Sequence, residues 1–420
     1  MAYGDSPFDK PMFAEWSHFC DQLKAAGKLV FKDVNPPNAE QRVDGFRYLM
    51  GNLSQAYELA LETKNTKYPG IYTFCSPTRK LGGDNADCVY MQAWVDGSSV
   101  YKISGKKGTA RFWNIAVQGP RSPTAYGEKM KRILHDPFGD VPEQNIFGHQ
   151  LKTNWDGTFE LFIGGEKQGQ NWLPTTPGTR KLFLRQYFDS WDERSAEYRI
   201  ERIGMTDPRP IPTPEEMIEA MKWAGEFVYN VVDFWPDWGL ERAGGEGHDK
   251  PNQMIITDKT GTTASGKATL PDSDRRRGRA IGGMWWKLAG DEALILEFPD
   301  PKTFWMITCM GVFSNSMDYL YRPISYTPSR TTVDPDGKVR LVLTKNDPGY
   351  HNWIDNQGYT DGQLTFRNIL AEELMDITPK VVKVAALASA MHAGSRKVTP
   401  EERTGQMMAR FDAINRRYRL

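Results

Sequence analysis

The sequence predicts a mainly β protein with flanking helices (α+β), built from two antiparallel β-sandwich, jelly-roll-like domains that arose by internal duplication. Two blocks, from residue 71 to about 203 and from about 254 to 367, consist of short runs that alternate apolar and polar residues between Gly, Pro, Asn and Asp. Such runs are typical of many short strands joined by turns. Landmarks in one block recur in the other at nearly the same offsets. The predicted parts are an N-terminal irregular segment and helix (1–66), a first sandwich (67–212), a connecting helix and loop (213–245), a second sandwich (246–368) and C-terminal helices (369–420).

Helix starts are marked by capping residues in front of periodic apolar stretches. Asn38 is followed three residues later by glutamine, whereas Thr213 and Thr399 are each followed by proline and, three positions on, by glutamate. These are capping-box arrangements. Thr378, also before a proline, is a further start, and residues 1–38 are expected to be irregular. The apolar stripes behind the starts are Val43, Phe46, Met50, Leu53, Tyr57 and Leu61 in the first helix, Met217, Met221, Ala224, Val228 and Val231 in the second, and Met407, Met408, Phe411 and Ile414 in the last.

The internal repeat centres on an Asn-Trp pair in each sandwich. Each copy holds an Asp-Gly turn, the Asn-Trp pair and an arginine on the next strand, at Gly157, Asn171, Trp172 and Arg185 in the first copy and at Gly337, Asn352, Trp353 and Arg367 in the second. The glycine-to-asparagine spacing is 14 residues in the first copy and 15 in the second. We expect the asparagine to bond the backbone, the indole to anchor the loop, and the arginine to clamp the loop carbonyls. The two loops are therefore predicted to superpose, each between two strands.

The first functional candidates are ionisable residues that only the second copy carries. His351 stands where the first copy has Gln170, and Asp355 stands where it has Pro174. A loop histidine titrates near neutral pH and a nearby carboxylate can orient it, so this pair is a candidate general acid or base. The alternative is a loop histidine whose hydrogen bonds are satisfied by backbone carbonyls.

The stretch around the first Asn-Trp pair resembles a bacterial family called domain of unknown function twelve-fourteen. The landmarks are Asn171-Trp172-Leu173-Pro174, the apolar strand that runs to Arg185, and Tyr187 before a charged stretch. The resemblance is clear over about residues 90–205 and weaker over 285–370, and residues 77–85 with the N-terminal helix look like a longer subgroup. It implies β-sandwich, jelly-roll-like domains with attached helices. It implies no activity, and no catalytic residue is carried over from it.

Other candidate residues complete a predicted pocket that is lined by aromatic side chains. Beside His351 and Asp355, they are Tyr319 and Tyr321 as catalytic groups, with Arg322, Trp305, His149 and Trp113 as substrate-binding groups. These residues favour a cofactor-independent enzyme that acts by acid–base chemistry, of hydrolase or lyase type, on a small apolar or glycoside-like hydroxylated molecule. The alternative is a non-catalytic, lectin-like jelly roll that binds a ligand. A third interpretation is a structural subunit whose loops are buried between chains, so a homo-oligomer is left open.

Composition argues against several other classes of function. The chain has 53 Lys+Arg and 53 Asp+Glu among its 420 residues, which argues against nucleic-acid binding. The single basic cluster, at residues 274–279, is interpreted as a solvated loop. No nucleotide-binding glycine motif and no zinc-type or two-histidine spacing occurs, so neither a cofactor nor a metal is expected, although ligands far apart in sequence would leave no such signal. There is no apolar stretch of membrane-spanning length and no signal-like start, and only four cysteines occur, so we expect a cytoplasmic protein.

Overall fold

The protein is described here by a computed structural model that covers residues 6–120, 140–244, 251–256, 279–369 and 376–418. The basic cluster therefore lies outside the described residues, apart from the backbone of its last residue. The helices are α1 (Asp9–Leu29), α2 (Ala39–Tyr57), which continues as a π-helical turn (Glu58–Glu62), α3 (Pro214–Gly244), α4 (Leu387–Ala390) and α5 (Pro400–Tyr418).

In the described part of the chain, eighteen strands form four sheets. The first nine are β1 (Tyr72–Cys75), β2 (Cys88–Trp94), β3 (Tyr101–Lys106), β4 (Phe112–Gly119), β5 (Val141–Phe147), β6 (Thr158–Ile163), β7 (Trp172–Leu173), β8 (Lys181–Tyr187) and β9 (Glu197–Arg202). The other nine are β10 (Ile255–Ile256), β11 (Arg279–Lys287), β12 (Glu292–Pro299), β13 (Trp305–Met310), β14 (Ser325–Tyr326), β15 (Lys338–Thr344), β16 (Trp353–Asp355), β17 (Asp361–Ile369) and β18 (Thr378–Lys383).

The two sets of nine strands have the same topology. The first set makes sheets of order β1-β2-β8-β4-β5 and β7-β6-β3-β9, and the second makes β10-β11-β17-β13-β14 and β16-β15-β12-β18. Adding nine to each strand number of the first pair of sheets gives the second pair. All pairings are antiparallel except β6 with β7 and β15 with β16, which are parallel in both copies. The predicted fold class is confirmed: two sandwich-like domains of the same build, produced by internal duplication.

Each sandwich has its own apolar core between its two sheets. Ile103, Ile115, Leu161 and Leu184 are among the buried residues of the first core. Leu294, Leu296, Ile307, Leu341 and Leu364 are among those of the second. A third core joins α1, α2 and α3 to residues of both sandwiches, such as Phe74 and Tyr90 of the first and Trp285 and Met306 of the second. The helices therefore form a layer that packs against both sandwiches.

The capping predictions are confirmed at three helix starts. The backbone N–H of Gln41 donates to Asn38 Oδ1 at 2.9 Å. Thr213 and Glu216 exchange hydrogen bonds between backbone and side chain at the start of α3, and Thr399 and Glu402 do the same at α5. The stripe predicted to be buried in α3 is buried at Ala224, Val228 and Val231, but Met217 and Met221 are only half-buried.

Two segments differ from their predicted conformations. Residues 1–38 were expected to be irregular, yet α1 occupies most of them and packs along α3. Apolar residues such as Phe13 also occur on the exposed side of α1. The apolar periodicity of its buried side, which ends at Ala26 and Val30, is therefore hard to recognise in the sequence. Thr378 begins strand β18 rather than a helix. The proline after it is tolerated because β18 is an edge strand, where a missing N–H breaks no ladder hydrogen bond.

In α2 and α5, several residues of the predicted apolar stripe are exposed rather than buried. In α2, Val43, Phe46, Met50 and Tyr57 of the stripe face outward, while Tyr48, Leu49 and Ala56 face inward together with amides and an aspartate. In α5 the buried side chains include three arginines spaced by seven residues, Arg403, Arg410 and Arg417, whereas Met408 and Phe411 are exposed. None of the described helices has the length and apolar character needed to cross a bilayer.

Candidate functional site

The two Asn-Trp loops have the same hydrogen bonds. Asn171 Nδ2 donates to the carbonyls of Lys152 and Glu160, and its Oδ1 accepts from the Lys152 N–H. Asn352 makes the equivalent three bonds, with Thr332 and Arg340 as partners. The indole N–H groups also donate to carbonyls at equivalent places, Trp172 to Gly164 at 3.1 Å and Trp353 to Thr344 at 3.0 Å. The predicted equivalence of the loops is confirmed, and these residues hold the backbone.

The two strand arginines do not clamp the Asn-Trp loops as predicted. Arg367 donates to the carbonyl of Gly83 and to Thr365 Oγ1. The Arg185 guanidinium lies over the ring of Phe183, with 4.0 Å from Cζ to the ring centroid. Both side chains are buried on the central strand of a five-stranded sheet. Both arginines point away from the core of their own sandwich, so Arg367 reaches residues 77–85 and Arg185 packs on Phe183 instead of bonding the loop.

The predicted pair of His351 and Asp355 is not formed. Asp355 Oδ2 accepts from Arg322 Nη1 at 2.7 Å, and its Oδ1 accepts from the Gln357 N–H at 2.7 Å. His351 Nδ1 lies 3.0 Å from Asn352 Oδ1. Because Asn352 uses its amide hydrogens elsewhere, that oxygen is an acceptor, so Nδ1 carries the proton and Nε2 is the basic nitrogen. Burial, followed by repulsion from Arg396 and Arg403, lowers the pKa of His351 despite the bond to Asn352.

His351 lines a cavity of about 420 Å³ at the junction of the second sandwich, the first sandwich and α5. The lining residues are Trp191, Pro323, Ser325, Tyr326, Ser329, Arg330, Thr331, Thr332, His351, Arg396, Gln406, Met407 and Arg410. We call this space the arginine cavity. Its walls come from β14 and the turn after it, from the loop after β8 and from α5. Three distant parts of the chain therefore build it.

Arginines gather around one indole beside this cavity. The Cζ atoms of Arg330, Arg410 and Arg417 lie 4.0, 4.9 and 5.4 Å from the centroid of the Trp191 ring. Asp87 is their carboxylate partner, with 2.6 Å from its Oδ2 to Arg330 Nη2 and 4.0 Å from its Oδ1 to Arg417 Nη1. All four side chains are at least nine-tenths buried. The cluster thus places three guanidinium groups against one carboxylate, with Arg417 also near the half-buried Glu193.

The charges of this cluster persist at neutral pH. Burial alone would raise the pKa of Asp87, but Arg330, Arg410 and Arg417 together bring it below its usual value. Burial, followed by repulsion from Arg330, lowers the pKa of Arg410 to about 10. Burial also lowers the pKa of Arg417 to about 10, and Asp87 opposes that shift. The surroundings of the cavity therefore carry excess positive charge.

Most hydroxyls in the cavity walls already donate to protein oxygens, whereas some guanidinium N–H groups do not. The hydroxyls of Ser329, Thr331 and Thr332 donate to protein oxygens, and Tyr326 donates to the carbonyls of His351 and Trp353. In contrast, Arg410 Nε and Arg330 Nη1 are buried without a hydrogen-bond partner among the described residues. An acceptor-rich ligand would satisfy them, because a buried N–H left without a partner is costly.

The other predicted site residues lie outside the arginine cavity. Tyr319, Trp305 and Trp113 are buried, with Lys80 Nζ 3.9 Å from the centroid of the Tyr319 ring, and burial raises the pKa of Tyr319 well above its usual value. Tyr321 is exposed and contacts Phe411, Arg322 pairs with Asp355, and His149 is exposed and stacks on Phe147. Of the eight predicted residues, the structure places only His351 in the cavity.

A second buried polar cluster links the two halves of the chain. Lys80 Nζ donates to Ser316 Oγ and to the Met317 carbonyl, both at 2.9 Å, and Asp84 accepts from the N–H and hydroxyl of Ser316. Burial lowers the pKa of Lys80 to about 8. Its hydrogen bonds are made within the protein, so we interpret this cluster as a joint between the stretch before β2 and the second sandwich. Within the described residues, no three His, Cys, Asp or Glu side chains are grouped to hold a metal ion.

Comparisons with known proteins agree with the duplicated fold. Residues 90–189 and 284–373 match a family described as a protein of unknown function (DUF1214). The chain is similar to the crystal structure of an uncharacterised protein from Burkholderia cenocepacia, with 25% identity, a TM-score of 0.77, and coverage of 90% of this chain and 99% of that one. A structure from Vibrio parahaemolyticus has 14% identity and a TM-score of 0.42, covering 86% of this chain and 100% of that one. A search of curated proteins finds no match.

Proposed function

Because the chain carries two DUF1214 units, and that description names no activity, we propose a function from the arginine cavity: the protein binds a small organic anion there. The anionic group, a carboxylate or a phosphate, contacts Arg330 and Arg410. The observation that carries the proposal is the pair of buried guanidinium nitrogens, Arg410 Nε and Arg330 Nη1, that have no hydrogen-bond partner among the described residues.

The charge balance of the cluster supports an anion over a neutral ligand. Three buried guanidinium groups share one close carboxylate, Asp87. Buried charges are stable only when they are compensated and hydrogen-bonded. Planar guanidinium groups also match the two oxygens of a carboxylate or phosphate in a bidentate geometry. A ligand with one negative charge would therefore add to the charge compensation that Asp87 provides for the three arginines.

The size and remaining surface of the cavity define the body of the ligand. A volume of about 420 Å³ falls within the usual range of small-molecule sites. Pro323, Tyr326 and Met407 supply apolar surface, while the ring of Trp191 is already covered by arginines. A polyhydroxylated sugar fits less well than an apolar body with an anionic end, because Ser329, Thr331 and Thr332 already donate their hydroxyl hydrogens to protein oxygens.

We expect Arg410→Met to weaken the binding of an aromatic carboxylate by about 10- to 100-fold, the worth of a hydrogen bond to a charged group. Methionine keeps the volume and removes both the charge and the unpaired N–H. Calorimetric titration with a panel of aromatic carboxylates, organic phosphates and neutral sugars measures the effect. Arg199→Met is the control, since Arg199 is exposed on a strand of the first sandwich. Binding of neutral sugars in preference to every anion would contradict the proposal.

A second candidate function is acid–base catalysis on the bound anion, and His351 favours it. Its pKa is lowered, so the ring is neutral at pH 7 and offers Nε2 as a base beside the cavity. This keeps the enzyme interpretation, with its hydrolase or lyase chemistry, as a proposal alongside simple binding. The two interpretations differ in whether a bound molecule is turned over.

For the catalytic interpretation we expect His351→Gln to lower turnover by about 100-fold or more, the usual contribution of a positioned acid or base. Glutamine stands at the equivalent place in the first copy, so the unfolding free energy should change by no more than about 1 kcal/mol. Asp355→Asn is the matched control. Since Asp355 pairs with Arg322 and not with His351, this change should lower stability while turnover per folded molecule persists. Full turnover in His351→Gln would show that His351 is not the acid or base, whereas a wild type that binds without turnover would leave binding alone as the function.

A further inference from the structure

Helix α2 has its apolar stripe on the outside. Phe31, from the turn before the helix, and Val43, Phe46, Met50 and Tyr57 each expose between 42 and 59% of their surface. Phe31 and Phe46 contact each other edge to face at 5.7 Å, so the exposed residues form one continuous patch. We call it the α2 stripe.

The inward side of α2 carries apolar residues, Tyr48, Leu49 and Ala56, together with buried polar groups that bond the second sandwich. Gln41 Nε2 donates to the Asp361 carbonyl, and its Oε1 accepts from the Thr360 N–H. Asp44 accepts from Asn315 Nδ2 at 3.0 Å. Amphipathic helices normally bury the apolar side and expose the polar one. This helix buries one apolar face, at Tyr48, Leu49 and Ala56, and exposes a second one along the stripe, so the fold of the single chain leaves the stripe partly exposed.

The spacing of the stripe matches a helix-pairing seam. Val43, Phe46, Met50, Leu53 and Tyr57 are separated by three, four, three and four residues, which is the a/d pattern of a two-helix coiled coil. Read in the opposite direction from Met50, the pattern is nearly the same. An antiparallel second copy would therefore set Met50 against Met50 and Val43 against Tyr57.

The charges beside the stripe fit the same arrangement. Arg47 is exposed and Glu58 is partly exposed, where it pairs with Arg79. Arg47 and Glu58 are eleven residues apart, close to three helical turns, so they lie on the same flank of the stripe. In two antiparallel helices related by a two-fold axis, the same flank of each helix lies on the same side of the interface. This arrangement thus brings Arg47 of each copy towards Glu58 of the other.

The exposed apolar area of the α2 stripe is also close to what a homodimer interface needs. A half-exposed aromatic or methionine side chain leaves roughly 100 Å² accessible, so the patch amounts to about 500 Å². That is at the upper end of the patches found on monomers, and a standard interface buries about 800 Å² per partner, which includes a polar rim. We propose that the α2 stripe is the interface of a two-fold symmetric homodimer in which α2 packs antiparallel against α2 of a second copy.

Light scattering after size exclusion tests the dimer. We expect the wild-type chain to elute with the mass of two chains at about 10 µM, the concentration range of stable homodimers. Met50→Glu places like charges at the two-fold axis and should raise the dissociation constant by about 100-fold or more. Met408→Glu is the matched control, because Met408 is exposed to a similar degree on α5, and it should leave the dimer intact. Circular dichroism verifies that both variants fold.

Crosslinking keeps the test decisive if Met50→Glu fails to fold. Under mild oxidation, Met50→Cys should form a disulfide-linked dimer because each copy faces its own equivalent, whereas Met408→Cys and the wild type, with its four native cysteines, should not. A wild-type monomer at about 100 µM, a dimer that survives Met50→Glu, or the absence of a Met50→Cys crosslink would each overturn the proposal.

Discussion

We expect Asp87→Asn to lower the free energy of unfolding by about 3–5 kcal/mol, the usual cost of removing one partner of a buried ion pair. Asp87 is the carboxylate that contacts the buried guanidinium groups of Arg330 and Arg417. Asparagine keeps the shape but leaves these cations facing each other at low dielectric. Equilibrium denaturation in urea, followed by circular dichroism, measures the loss.

Two controls separate this loss from a general effect of removing charge. Asp291→Asn removes a carboxylate that pairs with Lys383 on the surface, and such pairs contribute no more than about 1 kcal/mol. A high concentration of phosphate should restore part of the stability of Asp87→Asn, because an anion in the arginine cavity replaces the missing charge. Equal losses for the two variants would show that Asp87 does not compensate the arginines.

The pH dependence has a definite sign. The pKa of Asp87 in the folded protein lies below its unfolded value. Its contribution to stability is therefore present above the unfolded pKa and is lost as the pH falls through the folded one. The difference in stability between the wild type and Asp87→Asn should shrink across that acidic range.

We expect Trp353→Ala to cost about 3–5 kcal/mol, as truncation of a buried large aromatic usually does. Trp353 is buried, its indole N–H donates to Thr344, and Arg403 lies over its ring at 5.2 Å. Trp172→Ala removes the equivalent residue of the first copy, which is half-buried, so its cost should be smaller. Denaturant titration of both variants measures the difference. If both variants unfolded like the wild type, the tryptophans would not anchor their loops.

The duplicated scaffold could be predicted because its landmarks are local and repeated. An asparagine that bonds backbone and a tryptophan beside it recur at nearly equal offsets from an Asp-Gly turn, and the structure gives each pair the same partners. The capping boxes at Thr213 and Thr399 were equally visible, because their reciprocal hydrogen bonds span only three residues.

The pairing of His351 with Asp355 could not be judged from spacing alone. The sequence predicts both residues in one loop, but Trp353–Asp355 is a strand. At about 3.3 Å per residue, four positions of extended chain separate two residues by roughly 13 Å, beyond hydrogen-bond reach. A strand in place of the predicted loop therefore keeps the two side chains apart.

The sequence signal for the arginine cavity is a periodicity of arginines, which a search for apolar periodicity does not detect. Arg403, Arg410 and Arg417 recur every seven residues and share the buried face of α5, yet arginines are ordinarily interpreted as solvent-facing. Arg403 pairs with the nearby Asp347, but Asp87 and Trp191, the partners of Arg410 and Arg417, lie more than two hundred residues away in sequence. Only the docking of the two sandwiches and α5 brings these residues together, and a single sequence does not show that docking.

The way the arginine cavity is assembled has a consequence for how the two halves of the protein depend on each other. Asp87 and Trp191 belong to the first sandwich, Arg330 and His351 to the second, and Arg410 to the terminal helix. A ligand bound there holds all three parts and adds its binding energy to their mutual attachment. Ligand binding would therefore require that both sandwiches and the terminal helix are docked together. Neither half of the chain, expressed by itself, would retain the site.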